Sequence, residues 1–453
     1  MGEDKEIGKL PEGWKMVRLG ELGEFKTSSV DKKIREKEIP VKLVNYMDVY
    51  KHNFITKNLE LMEVTANKHQ SITNRVIKGD VLFTPTSETP DDIGHSAVVL
   101  DELRDTLYSY HLVRLRFRNN DLFDIKFKGY VFNSRNILHQ FEILSTGVTR
   151  FTLSKKDFEE VSIDFPESKF EQHKIAEIFE TVDNAIDKTD RIIEKYKRIK
   201  QGLMQDLLTR GIDENGQIRS EETHKFKDLP LGRIPEEWGV SRIIDFSRTK
   251  SNPIQTGPFG AQLHAFEYVK DGVPLILIKN IFEGKIIEKN IPHILEEKAM
   301  KLKRYRLKSG DVIFSRVGNV GRCAVIKDKQ NGWLISGQML RVRLENPLLD
   351  PIFLSYMMDT VWFQKVLESE ILGTTRKSIN TDILSKLPII LPPLPEQYRI
   401  AEILSRIDET IEKEQKYKEK LERIKHGLME DLLTGKVRVN HLIEESVENV
   451  SQA

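Results

Sequence analysis

Residues 202–209 read GLMQDLLT, and residues 427–434, 225 positions later, read GLMEDLLT. The echo is the end of a longer match. From Glu171 to Thr209 and from Glu396 to Thr434 the two stretches align without a gap, with about half of the positions identical. A repeat of that length in a 453-residue chain constrains the fold more than any composition. Whatever one half builds, the other half must build again.

The repeated stretch is rich in Glu, Lys, Ile and Leu and has no internal proline, which predicts a helix. Its apolar residues recur at three- and four-residue steps. In the first copy they are Ile175, Phe179, Val182, Ile186, Ile193, Tyr196, Ile199, Leu203 and Leu207; in the second, Ile400, Leu404, Ile407, Ile411, Leu421, Ile424, Leu428 and Leu432. A period near 3.5 marks a coiled-coil seam. Each helix would be roughly 58 Å long, at about 1.5 Å per residue. A lone helix of that length has nowhere to bury its stripe, but two copies can bury each other. Pro395 suits a helix start, and Gly211 and Gly435 suit the two ends.

Outside the helices the repeat is fainter. LPEGW (10–14) answers IPEEW (234–238), GDVLF (79–83) answers GDVIF (310–314), and TGVTRFTLS (146–154) answers LGTTRKSIN (372–380). Each half therefore reads as a globular module followed by a long helix. The boundaries fall at 1–166 and 230–392 for the modules, 167–229 for the first helix with its linker, and 393–453 for the second helix and tail. Strand-like runs (VKLVNYMDV, DVLFTPT, HSAVVLD and HLVRLRFR, then VPLILIKNI, DVIFSR, CAVIKD and MLRVRLE) alternate irregularly with helical patches such as FKGYVFNSRNILHQFEIL and PIFLSYMMDTVWFQKVLES. A mixed α/β (α+β) fold is expected for each module.

With 39% apolar and 31% charged residues the chain has globular composition. No apolar run is long enough to span a bilayer, so no membrane association is expected. The polar start MGEDKEIGKL does not resemble a signal peptide. A single cysteine, Cys323, fits a reducing cytoplasm and leaves no partner for a disulfide. The net charge is only +1. The positive excess lies in 230–387, however, whereas 1–165 is near neutral, which suggests a polyanion-binding face.

Glycine-rich loops carry the side chains that reach base edges and phosphates. The candidates in the first module are Thr27, Ser28, Thr84, Ser87, His95, Thr149 and Arg150. In the second they are Gln255, Phe259, Gln262, Arg316, Asn319, Arg322, Thr375, Arg376 and Lys377. Each could read a base, clamp a phosphate or form a structural pair. Catalytic signatures are missing: no P-loop, GxGxxG or HExxH occurs. NPIQ (252–255) and NPLL (346–349) lack the second proline and aromatic of an amino-methyltransferase motif. No metal site is expected, and His173 and His293 read as surface or packing residues. On the residues alone three readings stand: a DNA reader, a coiled-coil adaptor for proteins, or a stand-alone modification enzyme with unusual motifs.

LPEQYRIAEIL (394–404), the GLMEDLLTG helix end, GPFGAQL (257–263) and GTTR (373–376) together resemble the specificity subunits of type I restriction–modification systems. The resemblance covers about residues 10–440. It implies two target-recognition domains separated by two long antiparallel coiled-coil helices, in a pseudo-two-fold arrangement. It implies binding to double-stranded DNA at a split, asymmetric site, with two adenine methyltransferase subunits and restriction/translocase subunits as partners. The subunit itself would be non-catalytic and hold no cofactor. S-adenosylmethionine, ATP and Mg would belong to the partner subunits. One departure stands out: the first copy reads FPESKFEQ where the second reads LPPLPEQ, so a less rigid lead-in to the first helix is expected.

Overall fold

The computed structural model describes residues 10–229, 232–246, 253–318, 320–371, 378–440 and 442. The chain forms two compact units, one comprising residues up to Asp190 together with Lys416 onward, the other Arg191–Gln415.

In the first unit a five-stranded sheet is ordered Gly23–Thr27, Val113–Phe117, Val81–Phe83, Ser96–Val99, Phe54–Ile55. Its neighbours are antiparallel except the last pair. Beside it Ile39–Val44 pairs antiparallel with Met62–Ala66 and parallel with Thr106–Tyr108. The second unit repeats this plan. Ile254–Thr256, Met339–Val342, Val312–Ser315 and Cys323–Val325 form an antiparallel sheet. Val273–Ile276 pairs antiparallel with His293–Ile294 and parallel with Leu334–Ile335. The GDVLF and GDVIF echoes are therefore equivalent places in one mixed α/β topology, whereas most of LGTTRKSIN lies outside the described residues.

The GDVLF and GDVIF motifs show why they recur. Buried Asp80 accepts the Ile77 amide (2.9 Å) and both arms of Arg116. Asp311 likewise accepts the Lys308 amide (2.7 Å) and both arms of Arg343. Each aspartate ties the turn before its own strand to the neighbouring strand or its end, in the bidentate geometry that makes arginine–carboxylate pairs strong.

The strand-like run VKLVNYMDV departs from expectation, because strand stops at Val44 and Tyr46–Lys51 is helical. The Asp48 carboxylate accepts the Asn45 amide at 2.7 Å, a local bond that turns the chain into a helix. The two helical patches each divide, into Ile125–Val131 and Arg135–Leu144, and into Pro351–Met358 and Val361–Ile371.

The repeated stretches form two helices of 39 residues, Lys169–Leu207 and Leu394–Leu432. In the first unit the start of one pairs with the end of the other: Asp183 meets Lys425 (2.6 Å) and Asp190 meets Lys418 (2.7 Å). One number rises as its partner's falls, so the helices are antiparallel there. In the second unit Lys200 meets Asp408 at 2.7 Å, the same two repeat positions with the copies exchanged.

Each octapeptide closes a core. Leu207 and Leu208 join Trp238, Ile400 and Leu404 in the second unit, with Leu203 and Met204 packed alongside. Leu432 and Leu433 join Ile175, Phe179 and Phe165 in the first, with Leu428 and Met429 alongside. Gly211 and Gly435 follow with φ of 66° and 69°, the left-handed stop that glycine adopts without strain. They lie against Trp238 and Trp14. Each octapeptide thus seals the module of the other repeat.

Candidate nucleic-acid interface

The module surfaces are built where strands hand over to loops. In the first module Thr146–Gly147 and Phe151–Thr152 form a short hairpin, whose second strand pairs with Thr86–Ser87. The tip exposes Val148, Thr149 and Arg150. Arg150 donates to Thr86 Oγ1 (3.2 Å), and Tyr46 donates its hydroxyl to the Thr86 carbonyl (2.9 Å). Tyr46 and Tyr50 stack with ring centroids 6.0 Å apart, and Tyr50 meets His95 edge-on at 4.9 Å. Asp92 accepts from the Tyr50 hydroxyl (3.1 Å) and lies 2.9 Å from His95 Nε2. His95 and Arg150, far apart in sequence, therefore share one surface with two tyrosines.

Electrostatics follow the packing. Burial raises the Tyr46 hydroxyl, and the Asp92 carboxylate raises that of Tyr50. Burial, aided by Lys32 and Arg150, lowers the His111 imidazole, so the cationic part of this surface is Lys32 and Arg150. Thr84 is fully buried and bonds the His95 carbonyl, so it shapes the loop from beneath. Ser87, also buried, accepts the Thr89 amide. Thr27 is exposed at a strand end, and half-buried Ser28 accepts the Val30 amide at 3.1 Å. Tyr46 lies within the strand-like run at 41–49 and Tyr50 directly follows it, so nothing in the sequence sets them apart as surface aromatics.

In the second module Gln255 sits half-buried on an edge strand opposite Arg341. Gln262 accepts the Tyr305 hydroxyl (2.7 Å), and Arg322 donates to the Ile281 carbonyl (3.3 Å). Arg316 is half-buried with its Nε unpartnered, and its backbone amide bonds the Gln338 carbonyl at 3.1 Å. Burial and neighbouring Arg343 lower the Arg341 guanidinium from its usual range. Asn319, Thr375, Arg376 and Lys377 lie outside the described residues.

Phe259, 60% exposed, stands at the edge of a recess of about 570 Å³ lined by Pro258, Phe259, Leu263, Tyr268, Leu277, Ile278, Lys279, Ser336, Gly337 and Gln338. Two glycines permit its shape. A Cβ on Gly257 would come within 2.3 Å of the Ser336 carbonyl oxygen, and one on Gly337 within 2.4 Å of Phe259 Cβ. The GPFG loop and the Ser336–Gln338 turn pack back to back only without those side chains.

Along the helices, Ile175 and Phe179 are buried in the first module's core and Ile400 and Leu404 in the second's. Ile193, Leu207, Ile411, Leu421 and Leu432 are buried, whereas Val182, Ile186, Tyr196, Leu203, Ile407 and Leu428 are half-buried. Ile199 and Ile424 are exposed. Among the described residues no group of three His, Cys, Asp or Glu side chains could hold a metal ion. Nor, among them, is any helix long and apolar enough to cross a membrane.

The profile of the type I restriction modification DNA specificity domain matches twice, over residues 11–198 and 235–423. The chain is 28% identical over 447 residues to the type I restriction enzyme MjaVIII specificity subunit of Methanocaldococcus jannaschii, covering 96% of this chain and 95% of that one. It is 22% identical over 428 residues to the EcoKI specificity subunit of Escherichia coli, covering 90% and 85%. The crystal structure of a type I system S subunit from M. genitalium shares the fold, with a TM-score of 0.54 at 14% identity over 94% of this chain and 97% of that one.

Proposed function

The chain belongs to the type I restriction–modification DNA specificity family, and from that premise we propose that it is the non-catalytic, sequence-reading subunit of such an assembly. Residues 1–166 and 230–392 are the target-recognition domains. Each reads one half of a split, asymmetric site on double-stranded DNA. Residues 167–229 and 393–453 carry the two conserved helices, which pair as an antiparallel coiled coil, set the gap between the half-sites and relate the modules by a pseudo-two-fold axis. Two adenine methyltransferase subunits and the restriction/translocase subunits dock on this frame. S-adenosylmethionine, ATP and Mg are theirs.

The observation that carries this reading is the repeat in three dimensions. Two copies of one specificity domain share a four-strand sheet order while the residues that follow corresponding strands differ, as Tyr46 and Tyr50 after Ile39–Val44 in one and Ile278 and Lys279 after Val273–Ile276 in the other. Shared scaffold with divergent tips is what a reader of two unlike half-sites requires. Recognition loops on rigid elements place side chains against base edges, while lysines and arginines neutralise phosphates.

Host DNA mapped for methylated adenine should reveal one bipartite motif. The full chain should bind that motif more tightly than about 10⁻⁶ M at physiological salt, above the range of unspecific binding. Equal binding to scrambled DNA, or methyl transfer by the purified chain alone, would overturn the proposal.

A further inference from the structure

The recess beside Phe259 lies in the second module, and its chemistry is divided. Its walls are apolar: the exposed Phe259 ring and half-buried Leu277. Its polar groups can all donate: Lys279 only donates, while the Gln338 amide and the Tyr268 and Ser336 hydroxyls can donate or accept. Lys279 and Gln338 are exposed on the rim. The half-buried Tyr268 has a hydroxyl without a hydrogen-bond partner among the described residues, raised by burial alone. The Ser336 hydroxyl, in a residue only 6% exposed, is also unpartnered. A folded protein rarely leaves a buried hydroxyl such as that of Ser336 unsatisfied beside an open recess unless something else completes it.

Base edges in the major groove differ in what they would bring. Guanine offers two acceptors and no apolar group, while adenine and cytosine each present an amino donor. Thymine alone combines an acceptor, O4, with an apolar C5-methyl. Apolar walls that would take a methyl, beside groups able to donate to an acceptor, complement that combination. Resting on the DNA-reading function above, we propose that this recess is a thymine-reading subsite. The C5-methyl packs against Phe259 and Leu277, O4 accepts from Tyr268, and Lys279 faces the adjoining phosphate.

The test uses the full chain and its mapped DNA site, with each thymine replaced singly by deoxyuridine, which removes the methyl and keeps O4. At one thymine the replacement should weaken binding about fourfold, the worth of one buried methyl. Phe259→Ala, at an exposed position, should bind deoxyuridine and thymidine there equally. Tyr268→Phe should weaken both alike, so the methyl preference persists. A defined site at which no thymine is methyl-sensitive, or a Phe259→Ala chain that keeps the preference, would overturn the subsite alone. A chain that binds no defined site would overturn the specificity reading with it.

Discussion

Lys128 places its ammonium 3.7 Å from the centre of the Phe117 ring, and the residue is 1% exposed. Its hydrogen bonds are long, 3.4 Å to the Gly79 carbonyl and 3.4 Å to Asn120 Oδ1. Asp80, the carboxylate that acts on it most strongly, is already engaged by Arg116. Burial lowers its pKa from 10.5 to about 8. The native state therefore binds this proton less tightly than the unfolded chain. The penalty is fully present below about pH 8 and fades as pH rises toward 10.5. Leu354, equally buried, occupies the equivalent place in the second module. Lys128→Leu should stabilise the protein at pH 7 by about 1–3 kcal/mol. Its advantage should shrink between pH 8 and 10.5. A variant that melts lower than the parent at pH 7 would refute this account. Nothing in IKFKGYV marks Lys128 as different from Lys126, because burial is set by Phe117 and Asn120 folding over it. For the same reason the loop candidates were only partly legible. Arg150 and Phe259 are exposed, while Thr84 and Ser87 are not.

At the level of elements, one clamp occurs twice. Asp183 accepts the Tyr130 hydroxyl (3.0 Å) and pairs with Lys425 (2.6 Å). Asp408 accepts the Tyr356 hydroxyl (2.7 Å) and pairs with Lys200 (2.7 Å). Burial raises both tyrosine hydroxyls, and the aspartates push them further. They stay protonated donors at neutral pH. Each aspartate thus binds a module helix and the other long helix at once. Asp408→Asn would leave Lys200, 17% exposed, without its counter-charge. It should cost about 1–3 kcal/mol in thermal or denaturant unfolding. Glu402→Gln breaks an exposed pair with Arg406 and should cost under about 0.5 kcal/mol. Similar losses in both variants would mean that the clamp holds nothing. The helices themselves were readable because composition and a 3–4 stripe persist over ten turns. The stripe's targets were less readable. Ile175 and Phe179 follow the coiled-coil period yet enter a phenylalanine-rich module core, since a period states that a face is buried and not against what. Short local bonds, as at Asn45 and Asp48, can still end a strand-like run in a helix.

At the level of the whole molecule, the repeat builds one root twice. In the first unit Arg438 pairs with Glu171 (2.6 Å) and donates to the Glu12 carbonyl (2.8 Å), while Gly435 lies on Trp14. In the second unit Arg219 pairs with Glu396 (2.5 Å), and Gly211 lies on Trp238. The Gly211 and Trp238 contact is thus the counterpart of the Gly435 and Trp14 contact, and in the second unit one segment joins its two members. That segment includes an exposed turn at Asn215–Gly216, where Gly216 has φ of 79° and open space around it. Turns of this kind tolerate new termini. Joining Ala453 to Met1 and opening the chain between Asn215 and Gly216 leaves every pair named above with both partners. The permuted protein should melt within a few degrees of the parent. It should also direct methylation to the same two half-sites at the same spacing. A permutant that folds but reads a different spacing would show that covalent order, not the paired roots, fixes the geometry. One that fails to fold would show that the Gly211–Trp238 segment acts as more than a tether.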